Sequence, residues 1–244
     1  MRLLVINPNT TAGMTESVGI AARSVAAPGT EIEALNPTMG PISIEGYYDE
    51  AFALPGLLQE IAAAEKRGCQ GTVIACFDDT GVDAARALAT MPVIGICEAA
   101  MHMASMIAGK FAVVTTLSRS IPPLEALARR YGVGDRCKIR ASEIPVLALE
   151  HPTPEIMTRL LDQCRRAMTE DGAEAIILGC AGMATLAAKL SAELGLPVID
   201  GVVAGVKLIE ALVGLGLETS KTGGYASPLP KPYRGLLEPF APKS

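Results

Sequence analysis

The chain repeats one pattern of short apolar runs, and this repeat most constrains the fold that it can adopt. Pro197 in the run LPVI follows Pro92 in the run MPVI by 105 residues, and Cys180 follows Cys76 by 104 residues. A third pair of runs, near the start of each half, is separated by 108 residues. Three matching elements at nearly one spacing predict an internal duplication.

The repeated runs are continuous and rich in β-branched residues, which is typical of strands buried on both faces of a parallel sheet. Helical stretches follow them, with helices expected over about 14–26, 54–67 and 83–89 in the first half. Segment 36–50 is rich in Pro and Gly and is expected to be a loop-like insert, and segment 135–155 is mixed in character, with Pro145, Pro152 and Pro154. The alternation predicts the α/β class, with two pseudo-symmetric, Rossmann-like lobes whose parallel sheets are flanked by helices.

We expect residues 1–108 to form the first lobe together with a returning segment over about 203–244, and residues 109–202 to form the second. The active site is expected in the cleft between them, because parallel sheets bind ligands at the carboxyl ends of their strands. The tail from Thr219 holds five prolines and cannot form a long helix or a central strand.

Composition excludes several classes of protein. Half of the 244 residues are hydrophobic and 19% are charged, which excludes an intrinsically disordered chain. The net charge is −5 and no basic run occurs, so nucleic acid is not an expected partner. No uninterrupted apolar run reaches the roughly 18 residues of a membrane span, and the N-terminus does not resemble a signal peptide. We therefore expect a cytoplasmic protein without membrane contact.

The six cysteines offer the clearest chemistry. No two have CxxC spacing and the chain has only two histidines, so a structural zinc site is not expected. Cys76 and Cys180 each end an apolar run just before a predicted helix, whose N-terminus would favour a thiolate. The alternative is that both are small buried core residues. Their matched positions in the repeat favour function.

Two opposed thiols suit one reaction in particular. A stereocentre beside a carbonyl is inverted when one group removes its proton and a second group protonates the opposite face. Backbone N–H groups can stabilise the intervening enolate, so the reaction needs no cofactor. Two carboxylates beside Cys76, on Asp78 and Asp79, would raise the pKa of its thiol and oppose the helix dipole. The sequence leaves open which effect is larger.

The chain resembles the Asp/Glu racemase superfamily and, within it, the hydantoin racemase family. The stretches that carry the resemblance cover nearly the whole chain except its tail; they are INPNTT at 6–11, GPISIEGYYDE at 40–50, ACFDDTG at 75–81, PVIGICEAA at 92–100, VVTTLSRSIP at 113–122, ILGCAGMA at 177–184 and PVIDGV at 197–202. The resemblance implies an Asp/Glu racemase-like fold, no cofactor, a homo-oligomer, and a small-molecule substrate held between the lobes.

The resemblance also implies roles for particular residues. The catalytic cysteines of the family fall on Cys76 and Cys180. The substrate would be bound by loops at the strand ends, which contain Asn7, Asn9, Ile44, Phe77, Asp78, Thr115, Thr116, Ala181 and Gly182. Structural roles are open for several of these. Asp78, Asp79 and Thr80 are ordinary helix-capping residues, the asparagines can shape a turn around Pro8, and the threonines can cap a following helix.

We therefore expect a racemase of 5-monosubstituted hydantoins. Allantoin racemisation is the nearest alternative, to be distinguished by the polarity of the wall near Ile44 and Phe77. An aspartate/glutamate-type amino-acid racemase, a decarboxylase or a cis–trans isomerase on the same scaffold is more distant. A non-catalytic small-molecule binder is the alternative from a different class, and it would leave the placement of both thiols without a reason.

Overall fold

The structure is a computed structural model that describes residues 1–150 and 152–242. Its first half forms a four-stranded parallel sheet in the order β2-β1-β3-β4. The strands are β1 (Arg2–Ile6), β2 (Glu31–Leu35), β3 (Gly71–Ile74) and β4 (Val93–Gly95). The helices between and after them are α1 (Ala12–Val25), α2 (Tyr47–Lys66), α3 (Val82–Leu88) and α4 (Ile96–Ile107).

The second half repeats this arrangement, with a parallel sheet in the order β6-β5-β7-β8. The strands are β5 (Phe111–Thr115), β6 (Cys137–Ala141), β7 (Ala175–Gly179) and β8 (Val198–Asp200). The helices are α5 (Ile121–Arg130), α6 (Pro154–Glu170), α7 (Ala187–Leu194) and α8 (Gly201–Gly214). Each strand of the first sheet thus has a counterpart at the same place in the second. The predicted α/β fold with two matching parallel sheets is confirmed.

The predicted start of the second helix was wrong. Helix α2 begins at Tyr47 rather than near residue 54, so the last four residues of the expected loop over 36–50 are helical. The helix continues through Pro55, although proline generally disfavours a helix interior. Within the mixed segment 135–155, Cys137–Ala141 form β6 at the edge of the second sheet, a strand that the sequence analysis did not predict.

One hydrophobic cluster continues from one sheet to the other. Val5 and Val73 of the first sheet share it with Phe111, Val113 and Ile177 of the second. Helices α4 and α8 contribute to the same cluster and pack against each other. The two sheets are therefore joined by buried apolar contacts and do not have wholly separate cores.

The last helix and the tail return to the first half. Helix α8 packs on α1, α4 and β3, and a Cβ atom at Gly205 would lie 2.7 Å from Cγ1 of Val73. Beyond it, Thr219 donates to the carbonyl of Thr90 at 2.9 Å. The ammonium of Lys221 donates to two carbonyls at the end of α3. Residues 243 and 244 lie outside the described part of the chain, and none of the described helices has the length and apolar character needed to span a membrane.

Candidate active site

A cavity lies where the carboxyl ends of both sheets meet, and with its open mouth it measures about 430 Å³. Its wall holds both cysteines that end matching strands, Cys76 after β3 and Cys180 after β7. Most of the other residues predicted from the sequence line it too, and these are Asn7, Asn9, Ile44, Phe77, Asp78, Thr115, Thr116 and Ala181. Gly182 does not line the cavity and lies beside Cys180, whose sulfur would be 3.6 Å from a Cβ atom added at Gly182.

The cavity is also lined by residues that the sequence analysis did not predict, and these are Pro8, Met14, Ala75, Ser120, Val146 and Gly179. Pro8 lies between the predicted residues Asn7 and Asn9, and Ser120 lies in the family-like stretch 113–122. These positions could have marked both residues as part of the site. Val146 follows β6, and its N–H donates to Oε1 of Glu45 at 3.2 Å, which ties it to the loop of Ile44. Nothing local in the sequence marks Met14 as different from an ordinary core methionine.

Cys76 lies in a protein environment that disfavours its thiolate. Burial is the largest cause that raises the pKa of the thiol above its ordinary value, and the charges of Asp78 and Glu50 raise it further. Two donors oppose this rise, the Thr80 hydroxyl at 3.2 Å from Sγ and the backbone N–H of Asp78. Burial and the carboxylates therefore raise the pKa of the Cys76 thiol by more than these two donors lower it.

Cys180 has a similar pKa and different neighbours. Burial raises the pKa of its thiol to about 12, and the N–H of Gly182 is the donor that opposes the rise. The residue precedes a 3-10 helix, Ala181–Leu186, and Cys76 is separated from α3 by a turn. The expectation that each cysteine stands directly before an α-helix was therefore wrong. Hydrogen-bond donors, rather than α-helix dipoles, are what each thiolate can use.

The two asparagines of the first loop, Asn7 and Asn9, differ in whether their side-chain N–H groups are available to a ligand. The Nδ2 group of Asn7 donates to Asn9 Oδ1 at 2.8 Å and to Thr15 Oγ1 at 3.1 Å, so it is used in shaping the loop. The Oδ1 atom of Asn9 is also used, accepting from Asn7 and from the N–H of Thr11. The Nδ2 group of Asn9 contacts the sulfur of Met14 at 3.6 Å, which is a weak acceptor. Asn9 can therefore donate to a ligand in the cavity.

The two threonines at the end of β5, Thr115 and Thr116, do not cap the following helix, a role that the sequence had left open. Helix α5 begins at Ile121 with Ser120 at its N-cap, and Thr115 instead donates to the carbonyl of Gly179 at 3.1 Å. This bond joins the ends of β5 and β7 beside Cys180. The hydroxyls of Thr116 and Ser120 donate to no acceptor among the described residues, and both residues line the cavity.

Acidic groups surround the first cysteine. Burial, followed by the charges of Glu50 and Asp79, raises the pKa of Asp78 to about 7. Glu50, a residue that the sequence analysis did not single out, has a buried oxygen without a partner among the described residues. Asp79 is a capping residue, but for α4 rather than α3, since its carboxylate accepts the N–H groups of Cys97 and Glu98 at 2.9 Å each.

Neither a metal cluster nor a basic side chain belongs to the described part of this site. In residues 1–150 and 152–242, no group of three or more His, Cys, Asp or Glu side chains is arranged to hold a metal ion. The described lining residues include no Lys, Arg or His. Polar contacts with a ligand would come from amide, hydroxyl, backbone and carboxyl groups.

Comparison with known proteins identifies the family. The sequence model of the Asp/Glu/Hydantoin racemase family matches residues 3–209. The chain belongs to this family. It is 48% identical to a hydantoin racemase of Pseudomonas sp. (strain NS671), covering 98% of this chain and 97% of that one. It is 50% identical to a hydantoin racemase of Rhizobium meliloti, covering 93% and 95% of the two chains.

A solved structure extends the likeness to the fold. An allantoin racemase from Klebsiella pneumoniae superposes with a TM-score of 0.96 at 51% identity, covering 100% of both chains. The two-sheet architecture is therefore that of the family over the full chain, tail included. Relatives named for hydantoin and for allantoin lie at nearly the same identity, so identity alone does not separate the two substrates.

Proposed function

We propose that this protein racemises 5-monosubstituted hydantoins without a cofactor, by proton transfer between two thiols. One observation carries the proposal: Cys76 and Cys180 end equivalent strands of two matching sheets and border one cavity. One residue, as thiolate, removes the proton at C5 of the ring, and the other, as thiol, protonates the opposite face. The two then exchange protonation states with each turnover. Family membership and the hydantoin racemase relatives support this chemistry.

The polar groups of the cavity suit a neutral cyclic ureide. Removing the C5 proton places negative charge on the neighbouring carbonyl oxygen, which needs hydrogen-bond donors. Asn9 Nδ2 and the hydroxyls of Thr116 and Ser120 are free to donate, and the Ala181 N–H lies beside Cys180. Asp78 can accept from a ring N–H. A free amino acid fits less well, because no described lining residue offers a cation to its carboxylate.

The remaining wall of the cavity favours an apolar C5 substituent. Its side chains are those of Pro8, Met14, Ile44, Phe77 and Val146, all buried. A ureido group, as in allantoin, would lose hydrogen bonds with water against such a wall. The polarity of the C5 substituent distinguishes the two leading substrates, and the apolar wall supports hydantoins with alkyl or aryl substituents.

Allantoin remains the second candidate, because a racemase named for it is 51% identical over the full chain. Comparing kcat/KM for single-enantiomer 5-isopropylhydantoin and allantoin separates the two. We expect the alkyl hydantoin to be preferred by about tenfold or more, the effect of a few apolar contacts. A preference for allantoin would replace the substrate proposal and leave the two-thiol mechanism in place.

Proton NMR in D2O tests the mechanism. Wild-type protein, Cys76→Ser and Cys180→Ser are each incubated with one enantiomer of a 5-substituted hydantoin, and optical rotation is followed beside a sample without enzyme. We expect enzyme-dependent C5 deuteration with loss of rotation in the wild type, and no inversion in either variant. Absence of exchange above the control would overturn the proposal, and the binder alternative would then be tested by ligand affinity.

A cytoplasmic location, a homo-oligomeric state and the division into lobes at residues 108 and 202 stay predictions. The division is supported by the grouping of strands into two sheets and by the return of α8 to the first half. The proposed substrate is a small molecule, and nothing in the mechanism requires a macromolecular partner.

A further inference from the structure

The turn that follows Cys76 depends on Asp79, which the proposed chemistry does not use directly. Asp79 is 6% exposed and adopts a φ of +48°, in the left-handed region that non-glycine residues rarely occupy. Its N–H donates to the carbonyl of Cys76 at 3.0 Å, so its conformation fixes the direction in which the chain leaves the cysteine. Such a conformation persists when surrounding contacts hold it in place.

Those contacts come from three donors on two other elements. The carboxylate accepts the N–H groups of Cys97 and Glu98 at the start of α4. It fits there because residue 95 is a glycine, whose Cβ atom, if present, would overlap Oδ1 of Asp79. The third donor is the hydroxyl of Tyr131, 2.6 Å from Oδ2.

Tyr131 belongs to the second half of the chain. It follows the last residue of α5, a helix that packs on β6 of the second sheet. Burial and the charge of Asp79 raise the pKa of Tyr131, so its hydroxyl stays protonated and remains a donor. The bond therefore links the turn of Cys76 to the half of the molecule that carries Cys180.

We infer that Tyr131 and Asp79 are positioning residues that hold Cys76 opposite Cys180 for proton transfer across the substrate plane. The inference rests on the proposed two-thiol reaction. If Cys76 is displaced, it protonates the carbanion formed by Cys180 more slowly, and the lifetime of the carbanion increases. The Cys180 thiol then exchanges its proton with solvent and returns a deuteron to the original face. Exchange with retention should rise relative to inversion.

Tyr131→Phe tests this with little change in shape, because it removes one hydroxyl and keeps the ring that packs beside His102. Both enantiomers of the hydantoin are followed in D2O, and the ratio of C5 deuteration to inversion is measured for each. Inversion should slow by about tenfold or more, as expected for a small misplacement of a reacting group. The exchange-to-inversion ratio should rise several-fold for the enantiomer that Cys180 deprotonates and stay near the wild-type value for the other.

Tyr225→Phe is the matched control. Its hydroxyl also donates to an aspartate, Asp83 Oδ1 at 3.0 Å, but Asp83 is an exposed residue of α3 and is not part of the turn of Cys76. This variant should keep wild-type rates and ratio. A fall in both rates of Tyr131→Phe without a change in either ratio would overturn the inference, since partial unfolding lowers exchange and inversion equally. Wild-type protein that gives no inversion would overturn the proposed function and the inference together.

Discussion

The hydroxyl of Thr80 gives Cys76 a donor that its thiolate can use. Thr80→Val removes the bond at 3.2 Å, while Thr80→Ser keeps a hydroxyl at the same place. A hydrogen bond to a charged group contributes about 1.5–3 kcal/mol, so we expect kcat/KM to fall by roughly 10- to 100-fold in the valine variant. Steady-state racemisation of a hydantoin measures this, and an equal loss in the serine variant would contradict the role assigned to the hydroxyl.

Asp78 should control the reactivity of Cys76 in a pH-dependent way. Its negative charge raises the pKa of the thiol, so Asp78→Asn should lower that pKa and speed alkylation of Cys76 by iodoacetamide. The pKa of Asp78 itself is raised to about 7, so the wild-type carboxyl is ionised above that pH and neutral below it. The difference between variant and wild type should therefore be largest at alkaline pH and shrink below pH 7.

Peptide mass spectrometry identifies the alkylated cysteine in that experiment. Asp83→Asn is the control, because Asp83 lies on α3, is half exposed and pairs with Arg130. Slower alkylation in Asp78→Asn would show that the carboxylate assists the thiolate rather than opposing it.

Single residues differ in how far their roles could be predicted from the sequence. The placement of Cys76 and Cys180 at one cavity could be predicted, because each ends an apolar run at a matched place in the repeat. Met14 and Val146 could not, because their side chains reach the cavity through the packing of α1 and of the segment after β6. Helix capping was a possible role for Asp79 together with Asp78 and Thr80, but the helix that Asp79 caps begins 17 residues later in the chain and is adjacent only in the fold.

Among the elements, the edge strands β2 and β6 were the hardest to predict. Both alternate charged with apolar residues, EIEAL in β2 and CKIRA in β6, whereas the central strands are continuously apolar. Their charges are paired on the surface, Glu33 with Arg2 and Arg140 with Glu170. The other two edge strands, β4 and β8, lie in the apolar PVI runs and could be found, so a search for apolar runs misses only the edge strands in which charged residues alternate.

Helix α4 should be sensitive to a single methyl group at its start. Gly95→Ala would place a Cβ atom on the carboxylate of Asp79 and separate it from the N–H groups that it accepts. We expect a loss of more than about 2 kcal/mol in the free energy of unfolding, together with a fall in activity. Urea denaturation followed by circular dichroism measures the first quantity.

Gly214→Ala is the matched control for that substitution. It stands at the last residue of α8, with nothing within 4 Å of the added Cβ atom. This variant should be neutral or slightly more stable, because alanine is the better helix former. Equal stability of the two alanine variants would contradict the role assigned to the space at Gly95.

At the scale of the whole molecule, the shared hydrophobic cluster makes the two sheets depend on each other. Because Val73 and Phe111 belong to one buried cluster, separating the halves would expose apolar surface on both. We expect one cooperative unfolding transition, with calorimetric and van't Hoff enthalpies that agree. Differential scanning calorimetry measures both enthalpies. Two resolved transitions would mean that each sheet is stable without the other.

The matching strand orders have a consequence for stereochemistry. Two copies of one chain fold are related by rotation and translation, never by reflection, since both are built from L-residues. The two forms of a hydantoin are nevertheless mirror images. A half-turn about an axis that lies in the plane of a flat carbanion exchanges the two faces of the carbanion. Two copies of one fold that are related by such a rotation therefore bring the same chemical group to each face. A chain of one handedness can in this way treat both hands of a small molecule alike.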